Sequence, residues 1–353
     1  MPKNKKVLIT GCAGFIGSHL SEACLREGHQ VYGLDNLSRK GTELNLHYLE
    51  SLQSSSFHFQ KLDLLKEDEL YQFFIDKGPF EWIAHEAGQV AVTTSLEDPL
   101  SDFKSNAQGT LPLLEAIRNH SPKSRLIYAS TNKVYGELRN LEVVEEENRY
   151  SFSGSSRGVG EDMPLDFHSP YGCSKGTADQ YVCDYARSFG IEATAFRQSC
   201  IYGTRQFGLE DQGWVAWFLI ATALRKNITV FGSGKQVRDL LWIEDLCSIY
   251  LKCWQCEEFP KGQAFNVGGG KENTLSLLEL FELLEKMNIP KVERAFGSWR
   301  KGDQKIFYSD NSKAKDMLAW KPAISPEEGI RKLWNWINDN LSSIEKALKE
   351  NPH

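Results

Sequence analysis

Three glycines restrict the fold of this chain more than any other feature. In "KKVLITGCAGFIGSHL" an apolar, strand-like run, Lys6 to Thr10, stops at Gly11, and Gly14 and Gly17 follow at the start of a helical pattern. That spacing lets the backbone turn tightly and approach a pyrophosphate, whose charge is favoured by the free N–H groups of a helix start. A glycine triplet alone recurs by chance. Set between a strand and a helix, it predicts the first unit of a dinucleotide-binding sheet.

The rhythm continues along the chain. Strand-like runs recur at 30–35, 57–62, 82–86, 125–130 and 192–198, with helical periodicity over 15–27, 65–77, 98–119 and 174–189. Alternation of this kind predicts an α/β fold, a doubly wound parallel sheet with helices on both faces. After Tyr202 the elements shorten and carry more Gly and Trp, which predicts a smaller C-terminal α/β domain that binds substrate. The expected division is a dinucleotide-binding domain of 1–200 with 236–256, a substrate domain of 201–235 with 257–338, and a solvated helical tail of 339–353. The polar stretch Glu142 to Ser169 reads as a long loop.

At 353 residues and 41% hydrophobic content the chain can bury a full core, and its net charge of -6 gives no general attraction to nucleic acid or to an anionic membrane. The longest apolar window, Trp214 to Leu224, is too short to span a bilayer, and the N-terminus enters a strand without a signal-peptide core, so a cytoplasmic location is expected. The eight cysteines are scattered, and Cys253 and Cys256, the one CxxC pair, read as the face of a helix with no metal expected.

Candidate chemistry sits where strands end. Asp35 closes the second strand, at the distance expected for an acid that binds adenosine ribose hydroxyls; it would repel a 2′-phosphate and so favours NAD, with Arg39 and Lys40 as the counterargument. Asp63 and Leu64 are placed to frame the adenine. In "SPYGCSKGTADQY", Tyr171 and Lys175 stand four apart, on one helical face with Cβ atoms roughly 6 Å apart. A nearby ammonium and a positive nicotinamide ring would both favour the phenolate, making Tyr171 a base for a sugar hydroxyl. Thr131, at the end of the fifth strand-like run, is the expected third member, Ser130 is expected to be structural, and Asn106 to brace the strand ends.

With these motifs the sequence resembles the extended short-chain dehydrogenase/reductases, the nucleotide-sugar epimerases and dehydratases, over residues 5–338. The resemblance implies cofactor contacts at Gly11, Gly14, Phe15, Ile16 and Gly17, at Asp35, Asn36, Ser38 and Arg39, and at Asp63 and Leu64. It adds Ala87, Gly88 and Gln89, then Asn106, Tyr171, Lys175 and Gln198, and it puts Thr131 at the catalytic Ser/Thr position. Family members commonly dimerise through the helices that carry Asn106 and Tyr171, so a homodimer is expected. The 4,6-dehydratases of the family carry Asp-Glu after the Thr, whereas Asn132 and Lys133 follow here, which argues against dehydration.

"GQVAVTTS", "STNKVYG", "YGTRQFG" and "GKQVRDL" are similar to the members that invert C2 of CDP-hexoses of the paratose and tyvelose type. This implies a nucleotide-diphosphate sugar as substrate, with contacts at Thr131, Asn132, Cys200, Trp214, Arg238, Arg300 and Asp303; guanidinium groups suit Arg238 and Arg300 to the diphosphate. Two alternatives stay open at this point, a 4-epimerase acting on a UDP- or GDP-hexose and a non-catalytic dinucleotide-binding protein.

Overall fold

The computed structural model describes residues 4–39, 41–154, 156–208, 210, 212–300 and 302–349. The chain divides into two compact units, the first built from Met1–Thr131, Ser169–Arg197 and Cys247–Phe265, the second from Asn132–His168, Gln198–Leu246 and Asn266–His353.

A seven-stranded sheet forms the centre of the first unit, with only Gln198, Asn266 and Val267 of its strands counted in the second. From one edge to the other its strands are Ala264–Val267, Glu192–Gln198, Arg125–Thr131, Trp82–His85, Lys6–Thr10, Gln30–Asp35 and Phe57–Lys61. Parallel pairing is regular: Lys6 to Thr10 register with Gln30 to Leu34 on one side, and Val7 to Thr10 with Trp82 to His85 on the other. The central strands are buried along nearly their whole length, as a sheet covered on both faces requires. One apolar cluster joins Leu8, Ile83, Leu126 and Tyr128 of the sheet to Phe73, Leu113, Ile117 and Val182 of the helices.

The helix expected over 98–119 is broken. Helix Pro99–Phe103 passes into a π-helical turn, Lys104–Gln108, and then into helix Thr110–His120. The preceding helix, Val92–Glu97, stops because Pro99 cannot continue it, and the Asp98 side chain caps the new start by accepting from Ser101 N at 3.0 Å. The wider turn carries Asn106, buried, on its inner side.

In the second unit, Val237–Trp242 pairs with Cys200–Tyr202 and Ile306–Phe307 in parallel and with Thr274–Ser276 antiparallel. The two units have different bounds from the expected division. Residues 132–168 belong to the second unit rather than the first, because Val143–Glu145 and Tyr150–Phe152 form a hairpin instead of a loop. Tyr150, Phe152 and Val159 bury against Val237, Ile306 and Phe307, so this stretch supplies core to the second unit. Residues 236–246 also fall in the second unit, since their strand pairs there, while 257–265 falls in the first, where it leads into the seventh strand. The tail is only partly solvated: helix Leu341–Lys349 buries Ile344 completely.

Cys253 is buried near the end of helix Ile243–Gln255, and Cys256 lies just beyond it with its thiol on Lys252 O at 3.3 Å. Among the described residues no helix is long and apolar enough to cross a membrane.

Candidate active site

The glycine turn can be tested against the group it is expected to hold. Gly11 has φ +69, and a Cβ there would lie 2.7 Å from Ala87 N, so only glycine lets the first loop pass this close to the loop after the fourth strand. Helix Phe15–Arg26 starts with no side-chain cap. Its first N–H groups, those of Phe15, Ile16 and Gly17, have no carbonyl one turn back within the helix, an arrangement that suits an anion such as a pyrophosphate. Asp35 accepts from Ala13 N at 3.0 Å and from Leu37 N at 2.8 Å, one bond to each carboxylate oxygen, which leaves each oxygen a second lone pair for a ribose hydroxyl. Burial pushes the Asp35 carboxyl above its ordinary range and the two N–H donors pull it part-way back. The residues therefore fit an adenine dinucleotide whose ribose hydroxyls are free.

The neighbouring positions have visible local duties. Asn36 Nδ2 donates to Asp63 at 3.2 Å, Ser38 N donates to Asn36, and Asp63 also accepts from Leu65 N, so these loops brace one another while Leu64 is buried in the core. Lys40 lies outside the described residues. The positive charge of Arg39 lowers the pKa of Tyr171. Gln89 is tied to Ala91, and a Cβ on Gly88 would meet Asn106 Oδ1 at 2.6 Å. That oxygen is buried without a hydrogen-bond partner. Gln198, in the second unit, is buried at the end of its strand.

Helix Ser169–Ser188 brings Tyr171 and Lys175 into the buried interior of the first unit. Tyr171 is hydrogen-bonded by Thr131, as the strand-end position requires. Burial pushes the phenol up to about 12; Thr131 and Arg39 pull it down and Asp102 pushes it further up. Lys175 is held at about 8, chiefly by burial, against the pull of Glu86, Asp102 and Asp179. Its Nζ sits 4.4 Å from the centre of the Tyr128 ring, a cation–π contact. The expected lowering of Tyr171 is thus absent from the protein alone, because desolvation outweighs the favourable partners. Ser130 is a structural donor to Asp179 at 2.6 Å, and Asp179 forms a buried ion pair with Arg197.

Two polar groups escaped the sequence reading. Ser174 donates to Asp102 at 2.5 Å, and Asn106 Nδ2 donates to Asp102 at 3.2 Å and to Ser174 at 3.1 Å. The i, i+4 spacing of Asp102 and Asn106 was the available signal.

In the second unit, cations gather on one carboxylate. Arg238 donates to Asp303 at 2.5 Å and to Gln304 O at 2.7 Å, and Lys133 donates to Gly302 O at 3.1 Å with Asp303 at 3.8 Å. Burial pushes Asp303 up, but Arg238, Lys133 and Arg300 outweigh it and hold the carboxyl below its ordinary range. Burial and Arg238 lower Lys133 to about 8. Asn132 is tied to Gln304 at 3.2 Å, and Arg300 lies 3.9 Å from the centre of the Phe231 ring with Nη2 on Glu210 O. Trp214 turns its indole N–H onto Cys200 Sγ at 3.1 Å, and burial raises that thiol to about 12.

These features coincide with a known family: residues 7–268 match the model of the NAD dependent epimerase/dehydratase family. The chain belongs to it. As a member it is an NAD-dependent enzyme, and the glycine cradle with Asp35 is where this chain can hold that cofactor. The chain is 44% identical to the CDP-paratose 2-epimerase of Salmonella typhi over 340 residues, 94% of this chain and 99% of the relative. It superposes on the UDP-glucose 4-epimerase of Thermotoga maritima, solved with UDP-glucose, with a TM-score of 0.80 at 30% identity, covering 95% of this chain and 99% of the other. The UDP-glucuronic acid 4-epimerase of Bacillus cereus, solved with UDP-glucuronic acid and NAD, gives 0.81 at 29% identity, again covering 95% and 99%.

Proposed function

We propose that this epimerase inverts C2 of a CDP-hexose of the paratose and tyvelose type by transient oxidation to a 2-keto sugar. The observation that carries the reading is the 44% identity to a CDP-paratose 2-epimerase along nearly the whole of both chains. Asn132 and Lys133 support it, because neither can act as the acid and carboxylate pair that eliminating water would need.

Chemistry selects the carbon. Oxidation at C4 would not acidify the hydrogen on C2, which is not adjacent to that carbonyl, so C2 itself is oxidised. Bound NAD supplies a reversible hydride acceptor for that carbon. Tyr171 accepts the proton of the C2 hydroxyl and returns it when the ketone is reduced, while Thr131 holds the reacting oxygen toward the phenol. Lys175 would hold the cofactor ribose, and its charge together with the cofactor's own would favour the Tyr171 phenolate. Arg238 and Arg300 bind the diphosphate, with Asp303 holding Arg238 until substrate arrives. Inversion requires the ketone to present its opposite face before reduction.

With CDP-paratose deuterated at C2, product is expected to keep its label, and reaction in heavy water is expected to place no deuterium there. Solvent deuterium at C2 would mean deprotonation in place of oxidation. Inversion confined to C4 would favour a UDP- or GDP-hexose 4-epimerase.

The enzyme is read as a homodimer through the helical segments that carry Asn106 and Tyr171, Pro99–Phe103 with the π-helical turn Lys104–Gln108 and Ser169–Ser188, on which Leu100, Phe103 and Tyr181 are 64%, 50% and 44% exposed. Their apolar exposure supports this reading. Leu100→Lys combined with Phe103→Lys is expected to sediment as a monomer where the parent sediments as a dimer; an unchanged sedimentation coefficient would place the interface elsewhere. The cytoplasm, where nucleotide sugars and NAD are available, is its proposed location.

A further inference from the structure

We propose that Asp102 is a positioning residue for this reaction: its carboxylate anchors Ser174, and through it the helical turn that carries Tyr171 and Lys175. The inference rests on the catalytic reading of that pair.

Asp102 is 1% exposed, at the last full turn before the π-helical segment. One carboxylate oxygen accepts the Ser174 hydroxyl at 2.5 Å and the other accepts Asn106 Nδ2 at 3.2 Å. Ser174 Oγ also lies 3.2 Å from Tyr171 O, so a single hydroxyl ties the buried carboxylate to the turn between the two catalytic candidates. A buried carboxylate this close acts on their protons as well as on their place. Asp102 raises both Tyr171 and Lys175, and Lys175 in turn lowers Asp102, whose carboxyl burial pushes up.

Other titratable and charged groups face the pair: the Tyr128 ring lies 4.4 Å from Lys175 Nζ, and burial, with Asp179, Tyr171, Glu86 and Asp102 adding to it, pushes its phenol well up. Thr131 and Arg39 favour the Tyr171 phenolate. Glu86 and Asp179 favour the Lys175 ammonium; Glu86 is itself held by the Tyr250 hydroxyl at 2.5 Å, and Asp179 by Arg197 and Ser130. His85 is neutral, lowered to about 3 by burial and by Lys175, and it lies between Thr10 and Thr110.

Asp102→Asn separates charge from place. The amide oxygen can still accept from Asn106, and the amide nitrogen can donate to Ser174 Oγ, which then donates to Tyr171 O, so the network closes without the charge. Activity needs Tyr171 deprotonated and Lys175 protonated. Removing a negative charge lowers both pKa values, so both limbs of the pH profile move toward acid.

The test compares pH profiles of CDP-paratose epimerisation by the holoenzyme in the parent, Asp102→Asn, Ser174→Ala and Tyr171→Phe. For Asp102→Asn both limbs are expected to move down by roughly half to one pH unit, with KM within about twofold of the parent. Ser174→Ala, which cuts the link and keeps the charge, is expected to lose about tenfold in kcat with its limbs unmoved. Limbs of Asp102→Asn that coincide with the parent's overturn the proposal, whatever happens to its melting temperature. Should that variant not fold, Ser174→Ala decides alone, and parent-like kcat overturns it. Near-parent turnover by Tyr171→Phe would overturn the catalytic reading itself, and an inactive Tyr171→Phe beside unmoved Asp102→Asn limbs would overturn only the role of Asp102.

Discussion

Tyr171→Phe is expected to slow epimerisation by about 10² to 10⁴-fold while leaving the fold and NAD retention intact. The phenol oxygen is the only atom removed. Its hydrogen bond from Thr131 is lost with it, at a cost of about 1 kcal/mol, too little to unfold the unit. The ring stays packed at 8% exposure in the helix interior. What disappears is the group that takes and returns the hydroxyl proton. Steady-state rates with CDP-paratose, beside the absorbance of cofactor retained through gel filtration, check both halves: near-parent turnover would mean that another residue is the base, and lost cofactor would mean that the tyrosine is chiefly structural.

Gly17→Ala is expected to weaken NAD binding by about a hundredfold or more, equivalent to about 2.7 kcal/mol. A Cβ there would sit 2.1 Å from Gly11 O and 2.8 Å from Cys12 Cα, and both are backbone atoms of the turn that approaches the pyrophosphate. The helix start must move away from the first strand, and the N–H groups of Phe15 and Ile16 move with it. Gly28→Ala makes the control. Gly28 has φ +82 and nothing within 4 Å of an added Cβ, so that change costs about 1 kcal/mol of backbone strain and leaves NAD affinity unchanged. Calorimetric titration of the apoprotein with NAD separates the two variants, and equal affinities would remove the glycine turn from the cofactor site.

Six of the seven strands of the parallel sheet could be read from the sequence because each is a local run of apolar residues whose period needs no partner to be visible; the seventh, Ala264–Val267, is four residues long and follows the stretch where the alternation breaks, and it was missed. The Tyr171 and Lys175 pair was legible for a similar reason, a fixed four-residue step on one helix. Asp102 was not. Its partner Ser174 is 72 residues away, and a carboxylate inside an amphipathic pattern looks like a solvated position until the fold closes around it. The break at 104–108 was hidden too: Pro99 marks a boundary, but nothing local distinguishes a π-helical turn from a continuing helix. The hairpin inside 142–169 was missed because its strands are three residues each, too short to establish a period, and they are buried by long-range packing of Tyr150 and Phe152 against Phe307 and Tyr308.

The order of strands in the large sheet bears on how the chain can fold as it leaves the ribosome. Lys6–Thr10 is made first, and Gln30–Asp35 and Phe57–Lys61 add outward on one side of it. Trp82–His85 then takes the other side, followed outward by Arg125–Thr131, Glu192–Gln198 and Ala264–Val267. Every newly emerged strand therefore finds its partner already synthesised and standing at an open edge, and none has to wedge between two that have paired. The order permits the sheet to grow vectorially from the first strand outward, in keeping with N-terminal segments folding first during synthesis.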